Sequence, residues 1–444
     1  MSLTRHVVPP EEIPETRAAN PKRSRSQGEE WYPYYAGFSP EFVVETLDLL
    51  GLPAGKTVLD PWNGSGTTTA CALELGYNAI GFDINPVMAT VALARTGIAE
   101  AMGPLLRSPT RWSYARQTGE SEPLLWWFSK SSASAIRAIA DEIARRQAHG
   151  ATGASSESSD RALRYTALFL AVRSLLSKFG STNPTWIRTA SRKKYRISPE
   201  TRPIRDSYQA YVEKLHSLRT IVGNGASAIV AVADSKQMPI ASNSVDVALT
   251  SPPYCTRLDY AVACSPELAI LGISPGSKAI RRLRDSSIGT PTIWSHVPLP
   301  SMLWGPKCAS FLCAMESHAS KASAGYYLKT HMQYFDAMSR SMIDLDRVLV
   351  PAGKCVMVVQ DSRYKELHND VPGIVVEMAE LIGWKLCSRK NFPVKQTLAD
   401  TNPHSKNYRS SSRATESVLV FTTSSSQRVS RARRIEFAAQ TNPR

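Results

Sequence analysis

The chain has 444 residues, 43% of them hydrophobic, and carries 53 lysines and arginines against 38 acidic residues, a formal charge of +15. That length allows two or three domains or one elaborated domain with a full core, and no apolar run approaches the about 20 residues of a membrane span. The excess positive charge favours a polyanionic partner, although basicity alone does not separate nucleic acid from another acidic surface.

Residues 1–28 are polar and proline-rich, lack the apolar centre of a secretory signal and read as a mobile arm, so the expected location is the cytoplasm. Next comes "SPEFVVETLDLLGL", with helical apolar spacing and Ser39 as its cap, followed by a short buried strand, "KTVLD". "TTTACALELG" is a helix stopped by Gly76, and "NAIGFD" is the second strand. Residues 105–222 differ in character: "SASAIRAIADEIARR", "RALRYTALFLAVRSLLSKFG" and "RDSYQAYVEKLHSLRTIV" predict amphipathic helices between Ser/Gly-rich linkers, a helical insertion. "AIVAVAD" and "VDVALT" are strands within 223–260. The stretch 261–325 is rich in Ser, Pro and Gly, and its sequence assigns it no regular structure. Residues 326–421 supply two helices and the strands "KCVMVVQD", "WKLCSR" and "ESVLVF", and 422–444 is a basic tail carrying Arg428, Arg431, Arg433 and Arg434. Strand and helix alternate as in a parallel sheet with crossover helices, so the expected fold is α/β: one doubly wound, seven-stranded, Rossmann-like sheet with a helical insertion. The seven cysteines are scattered with no zinc-ligand spacing, so no metal is expected.

"VLDPWNGSGTT" puts a Gly-rich turn between the first strand and its helix, a nucleotide-binding position. It matches neither GxxxxGK[ST] nor GxGxxG, so the ligand need not place a phosphate there. Asp60 ends the first strand, Asp83 ends the second nineteen residues after Gly64, and Asp234 follows the third. Three carboxylates at adjacent strand ends suit a ligand with an ammonium, ribose hydroxyls and an exocyclic amine, as in S-adenosylmethionine. The plainer alternative is that Asp60 and Asp83 only cap the helices that follow.

"DPWNGSGTT", "GFDINP" and "TSPPY" together resemble the amino-methyltransferases of DNA, a family with an S-adenosylmethionine fold. The likeness covers 31–100 and 228–260 well and 326–421 loosely; Trp62 stands where the family more often has phenylalanine. It implies a cofactor site at Gly64, Ser65, Gly66, Thr67, Asp60, Asp83 and Asp234, with Phe38 of "YAGFSPEFV" against the ligand. On this reading 29–104 is the cofactor-binding half, 223–260 holds the catalytic strands and 326–421 completes the domain.

The amine of a base is a poor nucleophile because its lone pair is delocalised into the ring, so the site must offer acceptors for its protons. Ser251 and the Pro252 carbonyl are such acceptors, Pro252 and Pro253 fix the backbone without competing N–H groups, and Tyr254 gives a ring on which an extruded base stacks. A plain proline turn with a surface tyrosine is the alternative. Ring-carbon methylation needs a cysteine nucleophile, usually in a Pro-Cys pair; this chain has none, and Cys255 reads as a packing residue.

The resemblance associates a serine at the first motif position with cytosine N4 more than adenine N6. The expected activity is therefore S-adenosylmethionine-dependent N4-methylation of cytosine in double-stranded DNA with a flipped target base; a cognate restriction enzyme and the oligomeric state stay open. For DNA contacts, "GSTNPTWIRTASRKKYR" interleaves Trp186 and Tyr195 with Arg188, Arg192, Lys193, Lys194 and Arg196, and "RRLR" adds Arg281 and Arg282 from the second insertion. A solvated basic loop is the alternative for the first stretch. Alternative functions are adenine-N6 methylation, methylation of an RNA base amine or a protein glutamine, and a catalytically silent DNA-binding protein on the same fold.

Overall fold

The computed structural model describes residues 31–33, 39–97, 122–145, 154–180, 187–190, 192–219, 225–255, 259–394 and 414–425. Residues 1–28, Phe38, Trp186 and 426–444 lie outside these residues. Helix α1 (Pro40–Leu50) starts where Ser39 Oγ accepts from the Phe42 N–H at 3.2 Å and stops at Gly51, whose φ of 59° only a glycine adopts without strain. Then come β1 (Thr57–Asp60), α2 (Thr67–Glu74), β2 (Asn78–Asp83) and α3 (Pro86–Thr96). Helices α4 (Lys130–Arg145), α5 (Ala154–Leu175) and α6 (Thr201–Ser217) precede β3 (Ala228–Val232) and β4 (Val245–Thr250).

The second insertion, to which the sequence assigns nothing regular, is helical: α7 (Tyr260–Ala263), α8 (Ser265–Ile270), α9 (Lys278–Ser286) and α10 (Gly305–Glu316). Each start is local: Asp259 accepts from the Val262 N–H and Ser277 from the Ile280 N–H, while Pro266 and Pro306 occupy first turns. These pieces are too short for a period to emerge from Ser/Pro/Gly-rich surroundings. The chain ends with α11 (Leu328–Val348), β5 (Leu349–Gln360), a hairpin of β6 (Ser362–Tyr364) and β7 (Leu367–Asn369), α12 (Val371–Leu381), β8 (Lys385–Pro393) and β9 (Thr415–Thr422).

Seven strands form one sheet in the order β3-β2-β1-β4-β5-β9-β8. β1 to β5 run parallel and β9 enters antiparallel between β5 and β8, so the doubly wound, seven-stranded sheet expected from the sequence is mixed. No helix separates β8 from β9 among the described residues, and a strand pair without a crossover helix pairs antiparallel.

Alternation along the strands makes the sheet two-faced. Leu59, Ala248, Cys355, Met357, Val359, Leu419 and Phe421 face a core built with α10, α11 and α12. Their neighbours Val58, Leu249, Val356, Val358, Val418 and Val420 pack with α1 and α2 on the other side. The inner strands β1, β2, β4 and β9 are thus buried on both faces, whereas the edge strand β8 keeps no buried residue. A third core joins α3 to α4, α5, α6, α8 and α9, with Trp31 and Tyr32 inside it. Its polar centre is Glu267, fully buried, which accepts from Arg173 at 2.6 Å and from the Tyr32 hydroxyl at 2.9 Å. Among the described residues no helix is long and apolar enough to cross a membrane.

Candidate active site

The strand order reverses between β1 and β4, and at their carboxyl ends the outward crossovers leave a crevice. Two turns meet there. Asp60, 2% exposed, accepts from the Trp62 N–H at 3.1 Å and the Thr250 hydroxyl at 2.5 Å on Oδ1, and from the Thr68 hydroxyl at 2.7 Å on Oδ2. Burial lifts its pKa to about 6, against the pull of those three donors. Its carboxyl group therefore knots β1, α2 and the residue before Ser251 together, and it is absent from the cleft lining.

Asp83 is in the lining. Its Oδ1 accepts from the Asn85 N–H at 2.8 Å and its Oδ2 from the Gly64 N–H at 3.0 Å. Burial raises its pKa to about 7; the two N–H groups oppose that and nearby Asp60 adds to it. Gly66, at φ 83°, lets α3 close on the turn, since a Cβ there would lie 2.8 Å from Ala92 Cβ. Ser65 is buried and Thr67 accepts from the buried Arg95 at 2.9 Å, so these two support the turn from behind. Asp234 lines the cleft and pairs with Lys236 at 2.9 Å.

Ser251, Pro252, Pro253 and Tyr254 line the same cleft, whose free space, counted out into open solvent, is about 760 Å³. Trp62, Ile84, Met88 and Ile288 supply apolar surface. Ser251 Oγ donates to the Val358 carbonyl at 3.1 Å, which directs its hydrogen into β5 and leaves both oxygen lone pairs for another donor. The Pro253 carbonyl accepts from Tyr334 at 3.1 Å. Sequence reasoning missed Tyr334, which reads there as one more apolar position of a long amphipathic helix. Cys255 has its thiol pKa raised to about 12 by burial, the state of an inert packing residue.

The basic stretch is laid along residues 126–129. Ala190 donates to the Trp126 carbonyl at 2.9 Å and Trp127 Nε1 to the Arg188 carbonyl at 3.0 Å. Arg188, Arg192, Lys193 and Lys194 are exposed, and Arg196 is half-buried. Tyr195 is 51% exposed with Lys194 Nζ over its ring at 5.1 Å, and Trp126 is 43% exposed. Trp126 was not among the sequence candidates; it and Trp127 adjoin on a tight 3₁₀ turn, where consecutive side chains cannot both point inward. Arg281 and Arg282 are exposed with Lys278 on α9, whose Leu283 and Ser286 line the cleft.

Sheet order, the switch-point crevice and two aspartates beside a Gly-rich turn define a Rossmann-like fold with a nucleotide-binding crevice. A DNA methylase family model of the N6/N4 type matches residues 8–94, which include the Gly-rich turn and Asp83 and end before Ser251. The chain is similar to the type II methyltransferase M.BsoBI of Geobacillus stearothermophilus, 25% identical over 323 residues, 64% of this chain and 60% of that protein. It is also similar to the type II methyltransferase M.MjaII of Methanocaldococcus jannaschii, 38% identical over 61 residues, 14% of this chain and 11% of that one. The chain thus spans three fifths or less of these relatives. Among solved structures, the rRNA methyltransferase aviRa from Streptomyces viridochromogenes aligns with 89% of this chain and 94% of its own at a TM-score of 0.28 and 11% identity. Over these stretches the chain is similar to DNA amino-methyltransferases, a family whose methyl donor is S-adenosylmethionine.

Proposed function

We propose that the protein transfers a methyl group from S-adenosylmethionine to the N4 amine of cytosine in duplex DNA. The observation that carries this reading is the orientation of Ser251: with its hydrogen committed to Val358, its oxygen is an acceptor at the wall of a cleft whose other wall holds Asp83 and Asp234.

The residues present fit the nucleoside half of the cofactor. Asp83 spends one lone-pair site of each oxygen on a backbone N–H and keeps the others for ribose hydroxyls, and Asp234 is a second carboxylate on the same lining. Pro61, Trp62, Ile84, Met88 and Ala233 give the apolar surface an adenine ring needs. Asp60 contributes by fixing the two turns relative to each other. When bound, S-adenosylmethionine supplies an electrophilic methyl on its sulfonium centre.

Ser251 Oγ accepts a hydrogen bond from the base amine, drawing electron density back toward nitrogen. The Pro252 carbonyl is the second acceptor. Tyr334 holds the adjoining Pro253 carbonyl, so the clamp is set before the base arrives. Tyr254 stacks on the extruded ring. The exposed cations at 188–194 and on α9, with Trp126 and Tyr195 among them, hold phosphates and sugars.

Incubation of the chain with DNA and labelled S-adenosylmethionine, followed by digestion to nucleosides and mass spectrometry, tests this. N4-methylcytosine is the expected product. N6-methyladenine alone keeps the site and reverses the base; no methylated nucleoside overturns the reading.

A further inference from the structure

One wall of the cleft continues into a loop that no role above uses. Ser286, Ser287 and Ile288 line the cleft, and Gly289, at φ 75°, presses so close to the motif that a Cβ there would lie 2.6 Å from the Tyr254 carbonyl oxygen. The chain is then pinned at Trp294, whose N–H donates to Gln333 Oε1 at 3.0 Å, while Gln333 Nε2 donates to the Thr292 carbonyl at 3.0 Å. Gln333 is next to Tyr334, which holds Pro253. At the far end Trp304 is buried, and the Lys307 N–H donates to Glu377 at 2.8 Å. Lys307 Nζ lies 3.9 Å from Asp370, whose neighbour Asn369 reaches Cys255 Sγ at 3.6 Å.

The two feet of this loop therefore stand on elements that touch the catalytic motif, one at Pro253 and the other at Cys255. Between them Leu299 and Met302 are 84% and 81% exposed, the most exposed of the large hydrophobic side chains among the described residues. The helix leading into the loop presents Lys278, Arg281 and Arg282 to solvent. A cationic helix face followed by an exposed apolar tip, on a loop that leaves the lining of the cleft, is a combination suited to parting stacked base pairs.

We propose that Leu299 and Met302 form a wedge that enters the duplex beside the target base and occupies the gap its extrusion leaves. The proposal rests on the reading of the protein as a DNA base-amine methyltransferase. Extrusion costs least when the target is mispaired, so a wedge matters most at a paired base and least at a mispaired one.

The test uses the full chain with both residues changed, Leu299→Ala with Met302→Ala. The substrates are two duplex oligonucleotides carrying the methylated site, located by sequencing plasmid DNA that the wild-type chain has modified. In one the target base is paired, and in the other it faces an abasic site. The expected result is a single-turnover rate at least tenfold below wild type on the paired duplex and within about twofold on the other, with unchanged cofactor affinity. An equal loss on both duplexes, or no loss on the paired one, overturns the wedge and leaves the functional reading standing. A wild-type chain that methylates no DNA removes that reading and the wedge with it.

Discussion

Thr250 donates its hydroxyl to Asp60 at 2.5 Å, so the residue before Ser251 and the residue that opens the Gly-rich turn share one buried hydrogen bond. The two halves of the site are thereby locked in register across β1 and β4. Thr250→Val keeps the shape and removes the donor. Hydrogen bonds to charged groups are worth about 1.5–3 kcal/mol, so the variant should unfold at lower urea concentration with an unchanged slope, and its turnover should fall with it. Full activity together with a lowered midpoint would confine the bond to stability.

Asp60 and Asp83 titrate at about 6 and about 7 in the folded chain, against an ordinary value of 3.8, because burial disfavours their charge. Between about pH 4 and those values the native chain binds more protons than the unfolded one. The contribution of these two groups to stability therefore falls as pH rises through that window and levels off above about 7. Cofactor binding should run the other way, since only the ionised Asp83 accepts from two hydroxyls: affinity should weaken below pH 7, by at most about tenfold per pH unit, and Asp83→Asn should abolish that slope. Calorimetry across pH 5.5–8 measures both.

Ser251→Ala should lower the methyl-transfer rate by roughly 10² with cofactor affinity intact, the size expected for one preorganised hydrogen bond at a reacting centre. Tyr334→Phe, which frees the Pro253 carbonyl without opening a cavity, should lower kcat by about tenfold while leaving KM for DNA near wild type. Rapid-quench measurement on both variants separates chemistry from binding. Cys255→Ser should stay within a few-fold of wild type, and near-total loss in a folded variant would bring back a covalent mechanism.

Replacing Arg192, Lys193 and Lys194 together by Ala should flatten the slope of log affinity for DNA against log salt by about two to three units. Filter binding at four salt concentrations reads this directly. A slope equal to that of wild type would return the stretch to the status of a solvated loop. Trp126→Ala should weaken binding without changing the slope, because stacking releases no counterions.

The inner strands were legible because they are buried on both faces and stand as short apolar runs; all seven strands fall where "KTVLD", "NAIGFD" and their successors lie, the exposed edge strand β8 among them. The direction of β9 was not, since an apolar run carries no sign of which way it pairs. Asp60 shows the limit within the site. Its position at the end of β1 is plain from sequence, but the hydroxyls of Thr68 and Thr250 that occupy its oxygens come from residues eight and 190 positions away. Tyr334 and Gly289 escaped for the same reason: each acts on the motif from across the fold. The stretch 261–325 was obscured by short helices whose caps are single residues.

The third core has a consequence for anyone who wishes to exchange the helical insertion between relatives. Glu267, on α8, is paired with Arg173 from the helical insertion, and Arg137 from the same insertion donates to the Ala269 and Ile270 carbonyls at 2.8 and 2.6 Å. Breaking a buried pair of this kind by removing one partner costs about 3–5 kcal/mol. A graft that brings in a foreign helical segment alone would strand Glu267 and uncover Val87, Met88 and Val91 on α3. The transplantable unit is therefore discontinuous in sequence: residues 122–219 must travel with 259–286, leaving the Gly-rich turn and the strand that ends at Thr250 in the host.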